Sequence, residues 1–214
     1  MTAQPGLRLE RQWVREGRRL VAGLDEAGRG AWAGPVVAGA VILPLDDRRL
    51  RAALRGVCDS KLLTPRERER LYERILATAL AVGVGGAGPG EVDRDGLMAA
   101  TRAAMQRAVT LLSPQPEALL LDAVDLRAEV DLPQRWLPHG EAASLSIAAA
   151  SIVAKVSRDR AMLALHEQYP AFNFARHKGY GTAAHHAALR RWGVTDIHRR
   201  SYAPIRQLPG AGMV

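Results

Sequence analysis

Leu20-Val21-Ala22-Gly23-Leu24-Asp25-Glu26-Ala27-Gly28-Arg29-Gly30 is an apolar run interrupted by two adjacent carboxylates and closed by an arginine between glycines. The apolar residues predict a buried strand, and a carboxylate in that setting has to be hydrogen-bonded, protonated or bound to a metal. Side chains alternate across a strand, so Asp25 and Glu26 share a face only where the strand ends or bulges. Gly28 and Gly30 permit such an ending and let a ligand approach the backbone, while Arg29 brings a charged donor beside the acids. The plainer reading of such a dipeptide is a strand closing in a surface turn with solvated acids; the Gly28-Arg29-Gly30 sequel weighs against it.

Outward from this stretch, residues 36–43 form a second β-like run between Gly34-Pro35 and Pro44, predicting a hairpin around the Gly28-Arg29-Gly30 turn. Thr64 and Pro65 predict the start of an amphipathic helix over 65–79. A short strand is expected over 81–84, a long helix over about 93–112 and a strand over 117–121, the last two separated by Ser113-Pro114-Gln115-Pro116. The longest helical pattern, 144–169, stops at Pro170, and a last helix over 183–192 ends at Gly193. Interleaved strands and helices predict an α/β or α+β sheet with helices on its faces. Gly83-Val84-Gly85-Gly86-Ala87-Gly88 fits a dinucleotide-binding fingerprint, but Pro89-Gly90 follows and the expected downstream acid is missing, so this stretch reads as a flexible loop. His185-His186 reads as a pair of solvent-facing helix histidines, because adjacent helical residues diverge and no second ligand pair stands one turn away.

The chain of 214 residues fits a single domain, 48% hydrophobic and carrying a formal charge of +8. No stretch approaches the roughly 18 apolar residues of a membrane span, residues 1–10 lack the apolar segment of a secretory signal, and one cysteine, Cys58, excludes an internal disulfide framework. A protein of the reducing cytoplasm is expected. The charge points to a polyanionic partner, nucleic acid ahead of membrane. Its arginine bias, with only Lys61, Lys155 and Lys178 as lysines, is equally compatible with the composition of the coding sequence.

Leu119-Leu120-Leu121-Asp122 repeats the opening pattern of an apolar strand ending in an acid. If the two strands are neighbours, Asp25 and Asp122 meet, and clustered carboxylates repel unless a divalent cation neutralises them. Oxygen ligands alone suit Mg²⁺ or Mn²⁺ rather than zinc; the alternative is two unrelated strand-end acids. Glu141 lies in a loop just before the long helix, where the helix dipole favours an acid, whereas Asp159 follows Lys155 by four residues and predicts a structural ion pair. Ser151 and Lys155 share a helix face, which admits a serine nucleophile with a lysine base, but no oxyanion loop accompanies them.

The chain resembles ribonuclease HII, the type 2 ribonuclease H family. The matching segments begin with Asp25-Glu26-Ala27-Gly28-Arg29-Gly30, Gly34-Pro35-Val36-Val37-Ala38-Gly39, Asp59-Ser60-Lys61 and Leu119-Leu120-Leu121-Asp122. They continue through Ser146 to Lys155, Arg158-Asp159, His177-Lys178-Gly179-Tyr180-Gly181-Thr182 and His198-Arg199-Arg200-Ser201-Tyr202-Ala203-Pro204. The resemblance implies an α/β, RNase H-like fold with a central five-stranded mixed sheet flanked by helices and a helical C-terminal part. It implies a catalytic region over about 18–205, with residues 1–17 and 206–214 as terminal extensions. It also implies a metal-dependent endoribonuclease that cuts the RNA strand of RNA-DNA hybrids, and single ribonucleotides embedded in duplex DNA. The resemblance also implies a cut on the 5′ side of the ribonucleotide, leaving a 3′-hydroxyl and a 5′-phosphate.

By the same resemblance Asp25, Glu26 and Asp122 are metal-binding acids. The fourth, ordinarily an aspartate of a Lys-Gly-Asp or Lys-Ala-Asp triplet, falls on Glu141 of His139-Gly140-Glu141, which keeps the charge but lengthens the arm by one methylene. Two Mg²⁺ or Mn²⁺ ions roughly 4 Å apart are expected, activating a water on one side of the phosphodiester and stabilising the leaving oxygen on the other. Gly28, Arg29 and Gly30 are expected to sense the ribonucleotide's 2′-hydroxyl, and Tyr180 to stack on the next sugar. Lys61, Ser151, Lys155 and Lys178 are candidate phosphate contacts. The expected partners are RNA-DNA hybrids and ribonucleotide-containing DNA, no membrane, with the protein a monomer; the competing class is a non-catalytic nucleic-acid-binding protein with a decayed metal site.

Overall fold

In a computed structural model, which describes residues 4–208, five strands form one mixed sheet: β1 (Val21–Ala27), β2 (Val36–Ile42), β3 (Ala81–Ala87), β4 (Ala118–Asp122) and β5 (Gln134–Leu137). Their order is β3-β2-β1-β4-β5. β1 and β2 pair antiparallel from Ala22↔Ile42 to Ala27↔Val37, so the expected hairpin forms and its connection carries Gly28-Arg29-Gly30. β1 runs parallel to β4, the ladder ending at Leu24↔Leu121. Beyond that pair the strands part at the ends that bear Asp25 and Asp122.

The helices are α1 (Arg8–Arg15), α2 (Leu50–Ala53), α3 (Pro65–Thr78), α4 (Pro89–Asp95), α5 (Leu97–Thr110), α6 (Gly140–Ala143), α7 (Leu145–Gln168), α8 (Phe174–His177), α9 (Ala183–Trp192) and α10 (Ala203–Arg206). One sheet face packs on α5 through Ala22, Leu24, Ala38, Met105, Ala108 and Leu121. The other receives α7 and α3 through Val41, Leu71, Ile75, Ile152 and Val153. Truncating a fully buried side chain such as Leu24 to alanine costs about 2–5 kcal/mol. α7 lies against sheet backbone: a Cβ on Gly23 would sit 2.2 Å from the Ser146 carbonyl carbon, and one on Gly39 2.6 Å from the Ala150 oxygen. Glycines on the sheet and the Ala148-Ala149-Ala150 run on the helix are therefore one packing solution.

Several expectations need correction. The glycine-rich stretch 83–88 is no flexible loop; up to Ala87 it belongs to β3, where Gly83 and Gly85 leave room for α5, whose Ala108 and Ala104 oxygens would lie 2.0 and 2.1 Å from added Cβ atoms. The helix expected over 93–112 is two, α4 and α5, divided by Gly96 at φ +84°. Glu141 lies in the one-turn helix α6 rather than a loop. α1 was not foreseen. It buries Trp13, with Leu7 buried just before its first residue, and its fully buried Glu10 accepts hydrogen bonds from the Ser144 hydroxyl at 2.6 Å, the Ser146 hydroxyl at 2.9 Å and the Ser146 amide at 3.0 Å. That carboxylate caps the N-terminus of α7. The terminal extensions assigned to 1–17 and 206–214 fall partly on residues 1–3 and 209–214, outside the described residues. Among the described residues no helix is long and apolar enough to cross a membrane.

Candidate active site

Asp25, Glu26 and Asp122 line one cavity of about 280 Å³ at the open end of the β1–β4 ladder, together with Ala27, Gly28, Arg29, Gly30, Ser60, Lys61, Ser151, Lys155 and Tyr180. No bulge is needed to bring the two adjacent acids there: β1 stays regular through Ala27, and the cavity wraps the end of the strand. Asp25 is on the α7 face, beside the Ser151 hydroxyl, and Glu26 is on the opposite face, where Arg29 Nη1 donates to its Oε1 at 3.0 Å. Asp122 Oδ1 accepts the Gly140 amide at 2.9 Å, tying the end of β4 to the turn that carries Glu141. Glu141 does not line the cavity itself. It is buried, and the exposed His139 ring lies 3.9 Å from its Oε1.

Burial raises the pKa of Asp25 well above the usual carboxylate range, and Glu26 and Asp122 raise it further; the Glu26 amide and Ser151 act in the opposite direction. Burial also raises Glu26 against the influence of Arg29, and Glu141, where Asp122 and Asp59 add to the effect. At Lys61 partial burial disfavours the charge, but Asp59, Asp25, Glu141 and Asp122 outweigh it and the pKa rises. The acids and Lys61 therefore share one electrostatic neighbourhood.

Two observations bear on whether a cation fits. Glu26 Oε2 and Glu141 Oε2 are buried without a hydrogen-bond partner, which is costly for an ionised oxygen. Among the described residues, no three acidic, histidine or cysteine side chains close into a cage. An open set of carboxylates with unsatisfied oxygens fits Mg²⁺ or Mn²⁺, which are held jointly by one or two protein carboxylates and substrate phosphates rather than by an all-protein cage.

The basic candidates are placed unequally. Lys61 lies in the short 3₁₀ turn Ser60–Leu62, capped by Asp59, its ammonium largely exposed at the cavity rim. Ser151 shares a 2.7 Å hydrogen bond with Ser60, and Lys155 Nζ donates to Asp159 at 2.6 Å. Both partners lie elsewhere, so the serine–lysine dyad is not assembled, while the expected Lys155–Asp159 ion pair is present. Lys178 donates to the Ala175 carbonyl and lines an adjoining basic cavity of about 350 Å³ with Lys155, Arg68 and Arg176. Tyr180 separates the two cavities, with the Arg158 guanidinium 5.2 Å and the Lys155 ammonium 5.7 Å from its ring centroid.

Two buried arginines without an assigned role in the sequence hold the hairpin connection from beneath. Arg158 donates to the carbonyls of Pro35, Lys178 and Ala33 at 3.0, 3.0 and 3.2 Å. Arg199 donates to Gly34 O at 2.9 Å and to Arg29 O at 2.8 Å, and Tyr202 also donates to Arg29 O. Burial lowers the Arg158 pKa to about 10, which leaves it cationic at neutral pH. With the carbonyls of Arg29, Ala33, Gly34 and Pro35 held by these guanidiniums, the Gly28-Arg29-Gly30 backbone stays at the cavity wall.

His185 was expected on the solvent face and is fully buried; His186 is half-buried. Its surroundings, Trp32, Phe172, Phe174, His177 and His198, come from distant segments, so helical periodicity carried no sign of them.

A mixed five-stranded sheet with acids at the ends of two adjacent parallel strands defines the ribonuclease H class of fold. Solved structures agree: ribonuclease H2 from Pyrococcus horikoshii OT3 superposes with a TM-score of 0.71 at 28% identity, over 87% of this chain and 95% of that one. RNase HII of Archaeoglobus fulgidus, solved in complex with PCNA, gives 0.73 at 27% identity, over 86% and 95%. The family model for ribonuclease HII matches residues 22–205. Ribonuclease HII of Geobacillus kaustophilus (strain HTA426) is 52% identical over 202 residues, 94% of this chain and 75% of that protein. That of Geobacillus thermodenitrificans (strain NG80-2) is 53% identical over 204 residues, 95% and 76%. The chain belongs to the ribonuclease HII family, metal-requiring endoribonucleases that cleave RNA in RNA-DNA hybrids.

Proposed function

We propose that this protein cuts RNA-DNA hybrids and single ribonucleotides embedded in duplex DNA on the 5′ side of the ribonucleotide, leaving a 3′-hydroxyl and a 5′-phosphate. The observation that carries the reading is the shared cavity of Asp25, Glu26 and Asp122, walled by the Gly28-Arg29-Gly30 turn and Tyr180. Asp25, Glu26, Asp122 and Glu141 would hold Mg²⁺ or Mn²⁺, two ions during catalysis, through oxygen ligands alone. Such cations supply an activated water as nucleophile and stabilise the leaving 3′-oxygen. The chain's own residues do the selecting. The backbone of Gly28, Arg29 and Gly30 meets the 2′-hydroxyl that separates RNA from DNA, and the Tyr180 ring stacks on the following sugar. Lys61 remains cationic beside the acids and meets the phosphodiester at the rim, with Ser151, Lys155 and Lys178 as further polar contacts. The protein works as a single-domain monomer in the cytoplasm.

The test is a labelled duplex with one central ribonucleotide, incubated with purified protein and Mg²⁺ or Mn²⁺. A single cut at the 5′ side of that ribonucleotide, with a 3′-hydroxyl on the upstream product, is expected. An intact duplex, or a cut on its other side, refutes the reading.

A further inference from the structure

His185 and His198 face one another with their Nε2 atoms 3.1 Å apart, in a site where both rings are buried. The chain of contacts has two ends of fixed polarity. At one end His185 Nδ1 lies 3.1 Å from the Tyr180 carbonyl, which can only accept. At the other the Thr195 amide, which can only donate, points at His198 Nδ1 from 3.1 Å, with the Thr195 hydroxyl at 2.8 Å. Only one arrangement satisfies both: His198 carries its proton on Nε2 and donates to His185, which carries its own on Nδ1 and donates to Tyr180. The reverse polarity sets a lone pair against the Tyr180 carbonyl and an N–H against the Thr195 amide. An imidazolium at either position also sets two donors face to face, so the chain closes only when both rings are neutral.

This chain spans the frame that holds both proposed readers of the ribonucleotide. The segment after Gly30 is pinned on one side by the Ala31↔Tyr180 bridge and on the other by Ala33↔His198. The Trp32 amide donates to Gly179 O and the Arg199 amide to Trp32 O, both at 2.8 Å. His185 and His198 thus join the Tyr180 flank to the opposite flank from beneath. Facing them are the rings of Trp32, Phe172 and Phe174, and His177, which stacks on His185 at 4.6 Å. The other charged or titratable neighbours are His186, Asp196 and Arg200; Asp196, the one acid among these, accepts from the Tyr169 hydroxyl at 2.7 Å. Burial lowers both rings to about 4, so the neutral form dominates at working pH.

We propose that His185 and His198 are positioning residues for ribonucleotide recognition: a neutral, directionally fixed pair that holds the Tyr180 backbone, and with it the ring, in register with the Gly28-Arg29-Gly30 turn. The proposal rests on the reading of that turn and Tyr180 as the ribonucleotide's contacts.

The experiment is a double-mutant cycle on the single-ribonucleotide duplex, joined to histidine NMR of the wild-type chain. His198→Phe is expected to raise KM about tenfold, with a smaller fall in kcat, and to add less than about twofold in a Tyr180→Ala background. His198→Gln, which keeps a donor near the Nε2 position, is expected to recover part of the loss. Long-range proton–nitrogen spectra are expected to show His185 as the Nδ1–H tautomer and His198 as the Nε2–H tautomer from about pH 5 to 8. Additive effects of His198→Phe and Tyr180→Ala, the opposite tautomers, or an imidazolium at pH 6 overturn the proposal, and the spectra decide it even if His198→Phe does not fold. A raised KM in Tyr180→Ala with none in His198→Phe rejects the positioning role alone. Unchanged kinetics in Tyr180→Ala reject the site reading, and the proposal with it.

Discussion

The Arg158 guanidinium fills the space beside Gly28: a Cβ at position 28 would lie 1.9 Å from Arg158 Nε, and the Gly28 backbone is held at φ +93°. The residue at the start of the proposed 2′-hydroxyl reader and a buried cation of α7 are therefore fitted to each other. Gly28→Ala is expected to cost about 2 kcal/mol or more, from the left-handed backbone and the displaced guanidinium together. Urea unfolding gives that loss, and steady-state cleavage is expected to fall more than about tenfold. A variant as stable and active as wild type contradicts the fit.

Asp25 is a carboxylate kept at a cost in folding energy, because it is buried beside two others. Asp25→Asn removes that repulsion and is expected to raise the melting temperature of the metal-free protein by a few degrees, while cleavage falls on the order of 10³-fold. Duplex binding persists. Thermal unfolding, cleavage and gel-shift measurements on the same preparation check all three.

Cation binding inherits a pH dependence from the same carboxylates. The folded-state pKa values of Asp25, Glu26 and Glu141 are raised, so the metal-free protein gains protons on folding and becomes relatively more stable as pH falls through those values. A divalent cation needs them ionised. The Mg²⁺-induced rise in melting temperature is therefore expected to be larger at pH 8 than at pH 5.5, and an equal shift at both counts against the ligand assignment.

Glu141 is tested by length and by charge. If it is the fourth ligand, Glu141→Ala is expected to lose at least about tenfold in rate at limiting metal, and Glu141→Asp to retain more of the activity. Equal rates for all three proteins place Glu141 outside the site.

The His185–His198 pair gives a stability signature of opposite sign. Folded-state values near 4 lie below the 6.5 of a free imidazole, so acidification through that window adds protons to the unfolded chain first and destabilises the fold. The stability advantage of wild type over His198→Phe is expected to shrink by about 1–2 kcal/mol between pH 7 and 4.5 in urea titrations.

Local signals carried much of this architecture into the sequence. The β1–β2 hairpin, the helix start at Thr64 and Pro65, and the proline that stops α7 involve residues close together in the chain. What escaped is what long-range packing decides. The strand expected over 81–84 is the start of β3, but its continuation to Ala87 reads as a loop because glycines weaken a strand, until α5 is seen to lie against them. The first turns of α7, from Leu145 to Ala154, are buried on every side, so no polar face marks their direction. β5, at the sheet edge, leaves Trp136 half exposed and shows no alternation. Within the site, Asp25, Glu26 and Asp122 were legible as acids ending apolar strands. Arg158 and Arg199 were not legible as buried groups, because arginine is ordinarily a surface residue and their partners are carbonyls of a loop distant in sequence.

The bond between Arg29 and Glu26 sets a competition. A cation on the free Oε2 of Glu26 would draw negative charge from the carboxylate whose Oε1 accepts from Arg29, so occupancy of the metal position would weaken that bond and free the guanidinium for an incoming phosphodiester. Linkage makes the effect mutual: whatever draws Arg29 onto the nucleic acid strengthens the hold of Glu26 on the cation by the same factor. Metal affinity and substrate affinity would then be two readings of one coupling free energy, carried by a contact between residues three apart in the chain.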